Sequence, residues 1–310
     1  MGQAYALGTH ARIFRDINRL GGLRSSHHRH INGRTDGKYG FRCGVLILAG
    51  DGERHGMNES APKRLSALVV AHNEELQLAD CLECLKFADE IVVVLDKCSD
   101  GSRAIAARYT DHLVEGKWDI EGERRNTGIE ACSGDWIIEV DSDERVSTTL
   151  GNEIRQTIGK SKSGYFLIPF DNYIGDKRVR YGWGASWGVS AAPRLFCKGY
   201  KRWGDQRIHP ALDLKGPKGV LKNRIVHYVD RDISDMINRL DRYTTAKAAD
   251  LRASGNIGSF GHNVRRIFSR FWKCYVARRG YREGPYGFLI ALFASLYPVL
   301  SYLKARLEND

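Results

Sequence analysis

Apolar and polar positions alternate in a regular way between residues 65 and 140. Short apolar runs that predict buried strands lie at residues 65–71, 90–95, 112–115 and 136–140. The segments between them carry apolar residues at helical spacing and predict helices at 73–87, 100–109 and 122–132. Strands that alternate with helices in this way are typical of a largely parallel α/β sheet, whose ligand lies at the carboxyl ends of the strands.

Polar clusters follow three of these strands directly. They are His72-Asn-Glu-Glu75, the segment 96–102, and Asp141-Ser-Asp143. The third is the most informative, because residues i and i+2 of an extended segment point to the same side. Mg²⁺ is held by one or two carboxylates together with substrate phosphates, so Asp141 and Asp143 are candidate ligands of a metal–diphosphate. The alternative is an acidic turn that caps the next helix, since Ser147 and Thr148 follow.

The second half of the chain is richer in aromatic residues and glycine. Further strands are predicted at residues 164–170, 192–196 and 219–228. Trp183, Trp187 and Trp203 offer flat apolar faces with polar edges, which suit the binding of a sugar ring. The alternative is that these rings cover the sheet, and we expect this of at least one of the three.

After residue 230 the pattern becomes helical. The segment 233–254 predicts an amphipathic helix, and residues 264–282 carry seven Lys and Arg, no acidic residue and several aromatic residues. This combination is typical of a helix that lies on an anionic membrane. Residues 285–303 then contain no charged residue. We predict a membrane-associating region in which this last helix lies at the interface; a spanning helix and a buried core helix are the alternatives.

The first 62 residues differ in composition from the rest. They are rich in Gly, Arg, His and Ser and predict a disordered extension. Because strand-like order begins soon after Met57, a further hypothesis is that Met57 is the biological start. The expected organisation is an extension (1–62), an α/β domain (63–230) and a helical membrane-associating region (231–310).

Charge and cysteine usage narrow the class of protein. The net charge of +11 is uneven, because residues 231–310 carry 14 Lys and Arg against 7 Asp and Glu, whereas residues 63–230 carry 25 of each. A nucleic-acid enzyme usually has its positive field around the active site, so we expect no nucleic-acid partner. Cys81-Leu-Glu-Cys84 lacks the second pair of a zinc site, which favours free thiols in a reducing cytoplasm.

The ordered set of motifs resembles the family 2 glycosyltransferases, which have the GT-A fold. The matching motifs are Ala71-His-Asn-Glu74, Ser99-Asp100-Gly101, Arg125-Asn126-x-Gly128, Gly134-Asp-Trp136 and Asp141-Ser-Asp143-Glu144. Further motifs are similar to the bacterial lipopolysaccharide-core glucosyltransferase branch: Asn172-Tyr-Ile-Gly175, Pro193-Arg-Leu-Phe196, His209 and His227-Tyr228. The resemblance extends over residues 64–303.

This resemblance implies an inverting sugar transfer, of glucose in that branch, from a UDP-sugar to a lipopolysaccharide-core or other lipid-linked glycan. Asp141 and Asp143 would hold Mg²⁺ or Mn²⁺. The residues implied in binding the nucleotide-sugar donor are His72, Glu74, Asp96, Asp100, Arg125 and Asp141. The enzyme would be a peripheral or monotopic protein on the cytoplasmic face of the bacterial inner membrane.

The acceptor hydroxyl must lose its proton to a group within hydrogen-bond reach. The chain departs from the family pattern here, because His209-Pro210 stands where the branch has His-Glu. Asp205 and His209 are the candidate catalytic bases, with Asp171 as a weaker one. His227 is either a third metal ligand or a core residue. The competing functions are a polyprenyl-phosphate sugar synthase and a non-catalytic carbohydrate- or nucleic-acid-binding protein.

Overall fold

The computed structural model describes residues 62–183, 190–205 and 210–308. The strands are β1 Leu65–Ala71, β2 Glu90–Asp96, β3 Leu113–Gly116, β4 Trp136–Asp141, β5 Glu144–Arg145, β6 Tyr165–Ile174, β7 Lys177–Val179, β8 Ala191–Cys197, β9 Lys201–Trp203, β10 Leu212–Leu214, β11 Lys218–Val220 and β12 Ile225–Asp230. The helices are α1 Leu78–Glu83, α2 Ser102–Ala106, α3 Glu121–Ala131, α4 Thr148–Lys160, α5 Ile233–Ala253, α6 Phe260–Trp272 and α7 Pro285–Leu307. A π-helical turn, Lys273–Ala277, continues α6, and a 3₁₀ turn, Gly280–Glu283, precedes α7.

Most of the strands form a single sheet in the order β3-β2-β1-β4-β8-β6-β12-β5. The first four of these are parallel, as the alternating pattern predicts. Every residue of β1 and β2 is buried, because helices cover the sheet on both faces. Their apolar side chains pack on α1 and α4 on one face and on α3 on the other. The carboxyl ends of β1, β2 and β4 therefore lie at one edge.

The second half of the sheet mixes parallel and antiparallel pairs. β8 joins the halves, because it pairs antiparallel with both β4 and β6. The segment 219–228, predicted as one strand, forms β11 and β12, which pair separately with β6. The break falls where the backbone N–H groups of Lys222 and Asn223 donate to the carboxylate of Glu153 on α4, at 2.8 and 2.9 Å.

Helix α1 is shorter than the helix predicted at 73–87. Asn73 has a left-handed φ of 58°, and the backbone N–H of Glu74 donates to Ser102 Oγ at 2.8 Å instead of entering a helix. Leu76, an apolar residue within the helix predicted at 73–87, is 74% exposed. Contacts with the neighbouring loop thus replace the first turn of the helix, and residues 72–77 form a turn at the carboxyl edge of the sheet.

The C-terminal helices pack as a layer against β6 and β7. The core of this layer contains Ile174, Val179, Met236, Leu240 and Ile290, which come from β6, β7, α5 and α7. The carboxylate of Glu283 accepts the backbone N–H groups of Arg180 and Tyr181, at 2.8 and 3.0 Å. Gly182, with φ +83°, approaches Gly280 so closely that a Cβ would lie 2.8 Å from its Cα.

Helix α7 is long and apolar enough to cross a membrane, but half of its apolar window is buried within the protein. Its buried residues face α5 and α6. The predicted N-terminal extension, including Met57, lies outside the described residues except for its last position. The described residues belong to one compact unit.

Candidate active site

Six largely buried charged side chains lie beneath the carboxyl end of β4. These residues, called here the buried ion cluster, are Arg125, Glu139, Asp141, Glu144, Arg194 and Lys201. Three are carboxylates and three are cations, so their charges balance when all are ionised. Groups buried to this degree are tolerated when they are paired and hydrogen-bonded. The cluster holds in place the segment of chain that carries Asp141 and Asp143.

Glu139 is the centre of the cluster and has no exposed surface. Lys201 donates to one of its carboxylate oxygens at 2.6 Å, and Arg125 contacts the other. Burial alone would raise the pKa of Glu139, but the charges of Lys201 and the two arginines outweigh it and lower that pKa to about 2. Burial in turn lowers the pKa of Lys201 to about 8. The indole ring of Trp203 covers the ammonium of Lys201 and the guanidinium of Arg125.

Asp141 has a cation on each side of its carboxylate. Arg125 donates to Oδ1 at 3.0 Å, and Arg194 on β8 contacts Oδ2. Burial would raise the pKa of Asp141, but these two guanidinium groups hold it well below its usual range. Arg125 also bonds Glu121 at 2.9 Å, so its guanidinium is engaged by carboxylates of the protein. The carboxylate of Asp141 is therefore ionised and fixed in direction.

Glu144 completes the cluster from β5. One carboxylate oxygen accepts the backbone N–H of Asp141 at 3.0 Å, and the other contacts Arg194. Burial raises the pKa of Glu144 to about 7, and the nearby charge of Asp141 adds to the rise. Because Glu144 bonds the backbone of Asp141, it also fixes the start of the turn that leads to Asp143.

Asp143 has a different environment from Asp141. Its Oδ2 lies 3.5 Å from Nε2 of His227, and its Oδ1 is buried without a hydrogen-bond partner among the residues that the structure describes. Burial lowers the pKa of His227, but the hydrogen bond and the charge of Asp143 outweigh it and raise that pKa. Nδ1 of His227 lies 2.9 Å from Oδ1 of Asn172. Asp143, Glu144 and His227 offer ligand atoms within 4.8 Å of one another.

The strand register explains why these groups meet. His227 on β12 pairs with Glu144 on β5 and with Asn172 on β6. Residues paired across neighbouring strands point to the same face, so the three side chains form one row. Asp171 lies one position away on β6 and therefore faces the opposite side, where it bonds Arg178 at 2.6 Å.

The loops after β1 and β2 meet beside this site. His72 Nδ1 lies 2.6 Å from the backbone oxygen of Asp96. The carboxylate of Asp96 is buried; it accepts the backbone N–H of Trp118 at 3.1 Å and bonds Arg124 at 2.9 Å. Asp100 accepts the backbone N–H groups of Glu75 and Ser102, each at 3.0 Å. These contacts order the loops that form one wall of the site.

Glu74 is the residue of the first loop that reaches the carboxylates. Burial raises its pKa, the charge of Asp143 raises it further, and a hydrogen bond with Ser142 opposes the rise. The structure thus brings Glu74, Asp141 and Asp143 to one edge of the sheet. It places His72, Asp96 and Asp100 in the neighbouring loops, and Arg125 beneath Asp141.

Of the two predicted catalytic bases, Asp205 and His209, the structure describes only Asp205. Asp205 is exposed and follows β9, whereas His209 lies outside the described residues.

Trp203 packs on the buried ion cluster, and Trp183 donates to the backbone oxygen of Val179 at 2.7 Å within the C-terminal layer. The rings of Trp183 and Trp203 thus make contacts within the fold. Trp187, the third predicted sugar-binding tryptophan, lies outside the described residues.

Sequence reasoning assigned no role to Glu139, Arg194, Lys201 or Asn172. One signal was available, because Glu139 interrupts the apolar run of β4 and a buried carboxylate requires a cationic partner. The identity of that partner was not readable, since Lys201 lies 62 residues further along the chain.

Comparisons with known proteins identify similar chains. The family model for glycosyl transferase family 2 matches residues 66–206. The chain is 24% identical over 254 residues to the lipopolysaccharide core biosynthesis glycosyltransferase LpsC of Rhizobium meliloti (strain 1021), covering 77% of this chain and 91% of LpsC. It is 22% identical over 264 residues to an uncharacterized glycosyltransferase of Rickettsia conorii, covering 81% and 92%. A solved structure of S. aureus TarS 1–349 in complex with UDP aligns at 14% identity and a TM-score of 0.43, covering 78% and 90%.

The α/β sheet, the acidic groups at its carboxyl edge and the matches to the family model and to LpsC define the class of protein. The chain is a glycosyltransferase of the GT-A type, and both predictions made from the sequence are confirmed. More narrowly, the segment that carries Asp141 and Asp143 belongs to glycosyltransferase family 2.

Proposed function

We propose that this enzyme transfers a sugar from a UDP-sugar, with inversion, to a lipopolysaccharide-core or other lipid-linked glycan, and that Mg²⁺ or Mn²⁺ assists. The observation that carries the metal assignment is the buried Oδ1 of Asp143, which has no hydrogen-bond partner among the described residues. A buried carboxylate oxygen without a donor is costly, and a cation would relieve that cost. The oxygen and imidazole donors beside it are acceptable ligands for Mn²⁺.

In this proposal Asp143 and His227 hold the cation, with Glu144 behind them. A bound Mg²⁺ or Mn²⁺ supplies positive charge to the diphosphate leaving group. Asp141 acts differently, because its two oxygens already contact arginines. Each carboxylate oxygen has two lone pairs, so Asp141 can still accept a hydroxyl of the ribose or contact the cation.

The remaining donor contacts come from the loops after β1 and β2. Asp96 and Asp100 order these loops around the nucleoside, with His72 supporting Asp96, and Glu74 lies at the ribose. Arg125 acts through Asp141, whose ionised state and direction it maintains. The acceptor hydroxyl passes its proton to Asp205 or His209 as it attacks the anomeric carbon.

The acceptor class is supported by the similarity to LpsC, whose name assigns it to lipopolysaccharide core biosynthesis. We place the enzyme on the cytoplasmic face of the membrane, and the surface of the C-terminal layer supports attachment to a membrane. Phe268 and Trp272 are 74% and 65% exposed and lie four residues apart on α6, with Val276 one turn further. Arg265 and Lys273 are exposed near this stripe. Exposed aromatic residues beside basic ones suit an anionic lipid surface.

Thermal unfolding with UDP- and GDP-sugars, each with and without Mn²⁺, tests the donor and the metal together. We expect a UDP-sugar with Mn²⁺ to raise the Tm, and Asp143→Asn to lose the Mn²⁺-dependent part of the rise. Asp213→Asn, on the separate β9–β10 hairpin, is the matched control and should keep it. A rise that does not depend on Mn²⁺ would contradict the metal assignment.

Binding to vesicles that contain anionic phospholipid tests the membrane surface. We expect Phe268→Ser/Trp272→Ser to weaken binding about tenfold, because two exposed apolar side chains no longer enter the interface. Ile233→Ser/Ile237→Ser is the control, since these side chains are also about half exposed but lie on α5. Equal weakening by both pairs would show that the α6 stripe has no special role.

A further inference from the structure

We propose that Asn172 is a positioning residue that fixes the tautomer and the rotation of His227, so that Nε2 presents its lone pair beside Asp143. This inference rests on the proposed metal site and names the residue on which its geometry depends. It concerns a side chain that touches neither the donor sugar nor the acceptor in the proposed mechanism.

The contact between the two side chains is short and buried. Oδ1 of Asn172 lies 2.9 Å from Nδ1 of His227, and both residues are more than nine-tenths buried. An amide oxygen can only accept, so this contact places a proton on Nδ1. In a neutral imidazole the lone pair is then on Nε2, which lies 3.5 Å from Oδ2 of Asp143.

On the other side of the ring, Nε2 of His227 faces Asp143, and the proposed metal ion would take the place of a proton between them. With Nδ1 protonated, a neutral Nε2 and the carboxylate of Asp143 are two acceptors that face each other. Two acceptors at this separation repel unless a proton or a metal ion lies between them. A metal-ligating histidine commonly donates its other ring N–H to an oxygen of the protein, which is the relation seen here between His227 and Asn172.

The strand framework makes the contact rigid. Asn172 and His227 are register partners on the parallel strands β6 and β12, so their Cβ atoms are held side by side. The ring of Phe170 packs against the imidazole with 5.6 Å between centroids. The imidazole therefore has little freedom to rotate, and the amide of Asn172 selects which nitrogen faces Asp143.

Two substitutions of Asn172 distinguish a role of its amide oxygen in positioning His227 from a role of its side chain in packing. Asn172→Leu has a similar volume but no acceptor, and we expect it to weaken Mn²⁺ binding by roughly 10- to 100-fold, as is usual for the loss of such a partner. Asn172→Asp keeps the acceptor and should bind Mn²⁺ within about threefold of the wild type. Asn223→Leu is the matched control: this asparagine bonds Glu153 in the loop before β12, away from the site, and its loss should leave Mn²⁺ binding unchanged.

The measurements are the Mn²⁺ dissociation constant in the presence of UDP, from the electron paramagnetic resonance signal of free Mn²⁺, and the ¹⁵N NMR pattern of the imidazole in the Mg²⁺- and UDP-bound protein. We expect a protonated Nδ1 in the wild type and in Asn172→Asp, and loss of this single pattern in Asn172→Leu. Unchanged Mn²⁺ binding in Asn172→Leu, or a proton on Nε2 in the Mg²⁺-bound wild type, overturns the inference.

The wild-type protein also shows which proposal has failed. If it binds no Mn²⁺ in the presence of UDP, the proposed metal site is wrong and the inference falls with it. If it binds Mn²⁺ and Asn172→Leu binds it equally well, the metal site stands and only the role of Asn172 is wrong.

Discussion

The two carboxylates of Asp141-Ser-Asp143 lie one residue apart but in opposite electrostatic surroundings. Asp141 is held between Arg125 and Arg194 at the top of the buried ion cluster. Asp143 contacts His227 and has one buried oxygen without a hydrogen-bond partner among the described residues. One carboxylate is fixed by cations of the protein, whereas the other can accept a cation from solution.

This difference assigns different tasks to two residues that the sequence pattern treats alike. A carboxylate that already has two guanidinium partners gains less from a further cation than one that has none. In the proposed function, Asp141 therefore contributes mainly to the stability and shape of the site, and Asp143 would contribute mainly to binding of the metal.

Asp143→Asn should have the largest effect on activity. We expect kcat/KM to fall by roughly 10³-fold, about 4 kcal/mol, because the amide keeps the shape but cannot hold a divalent cation. The free energy of unfolding should change by less than about 1 kcal/mol, since among the described residues only His227 pairs with this carboxylate. UDP-sugar hydrolysis at saturating Mn²⁺ and urea unfolding give the two values. Activity within about threefold of the wild type would remove Asp143 from the metal site.

Glu139→Gln should have the largest effect on stability. It leaves Lys201 buried without its carboxylate partner, and removal of one member of a buried ion pair costs about 3–5 kcal/mol. Urea unfolding checks this value. Adding Lys201→Met should recover part of the loss, because the uncompensated charge is removed as well. A loss below about 1 kcal/mol for Glu139→Gln would mean that the buried ion cluster contributes little to the stability of the fold.

The sequence predicted the parallel half of the fold well because its signals are local. The largely apolar runs of β1, β2 and β4 are each long enough for a buried strand, so each strand can be predicted from its own residues. The position of Asp141 and Asp143 at the end of β4 follows from the same pattern. The predicted helix at 73–87 was too long, because the contact of Glu74 with Ser102 on another loop replaced its first turn.

The difference between Asp141 and Asp143 could not be predicted in this way. Arg194 reaches Asp141 from β8, 53 residues away, and His227 reaches Asp143 from β12. Both contacts depend on antiparallel or crossover pairing, for which no spacing along the chain is diagnostic. For this reason the sequence alone is consistent with His227 as either a metal ligand or a core residue. The register of His227 with Glu144 and Asn172 brings it to the site.

The acid limb of the unfolding curve should report on the buried ion cluster. The pKa of Glu139 is about 2 in the folded protein against an ordinary value of 4.5, so the unfolded state binds the proton first as the pH falls. Glu139 therefore contributes stability that is present above about pH 4.5 and is lost as the pH falls toward 2. The shift corresponds to about 3 kcal/mol. In urea unfolding between pH 7 and pH 2, the difference between wild type and Glu139→Gln should shrink by about this amount, and a constant difference would contradict the assignment.

Arg194→Lys should have the smallest of these effects on stability. It also tests most directly whether Asp141 and Asp143 act independently. A lysine is a point charge and cannot bridge the carboxylates of Asp141 and Glu144 with the planar geometry of a guanidinium. We expect a loss of about 2 kcal/mol in the free energy of unfolding, within the usual range for a disturbed buried network. Arg178→Lys, whose pair with Asp171 is partly exposed, is the control and should cost less than about 1 kcal/mol. The Mn²⁺ dissociation constant should stay within about threefold in both variants, because neither arginine contacts Asp143. A much larger change in Arg194→Lys alone would show that Asp141 and Asp143 act as one unit.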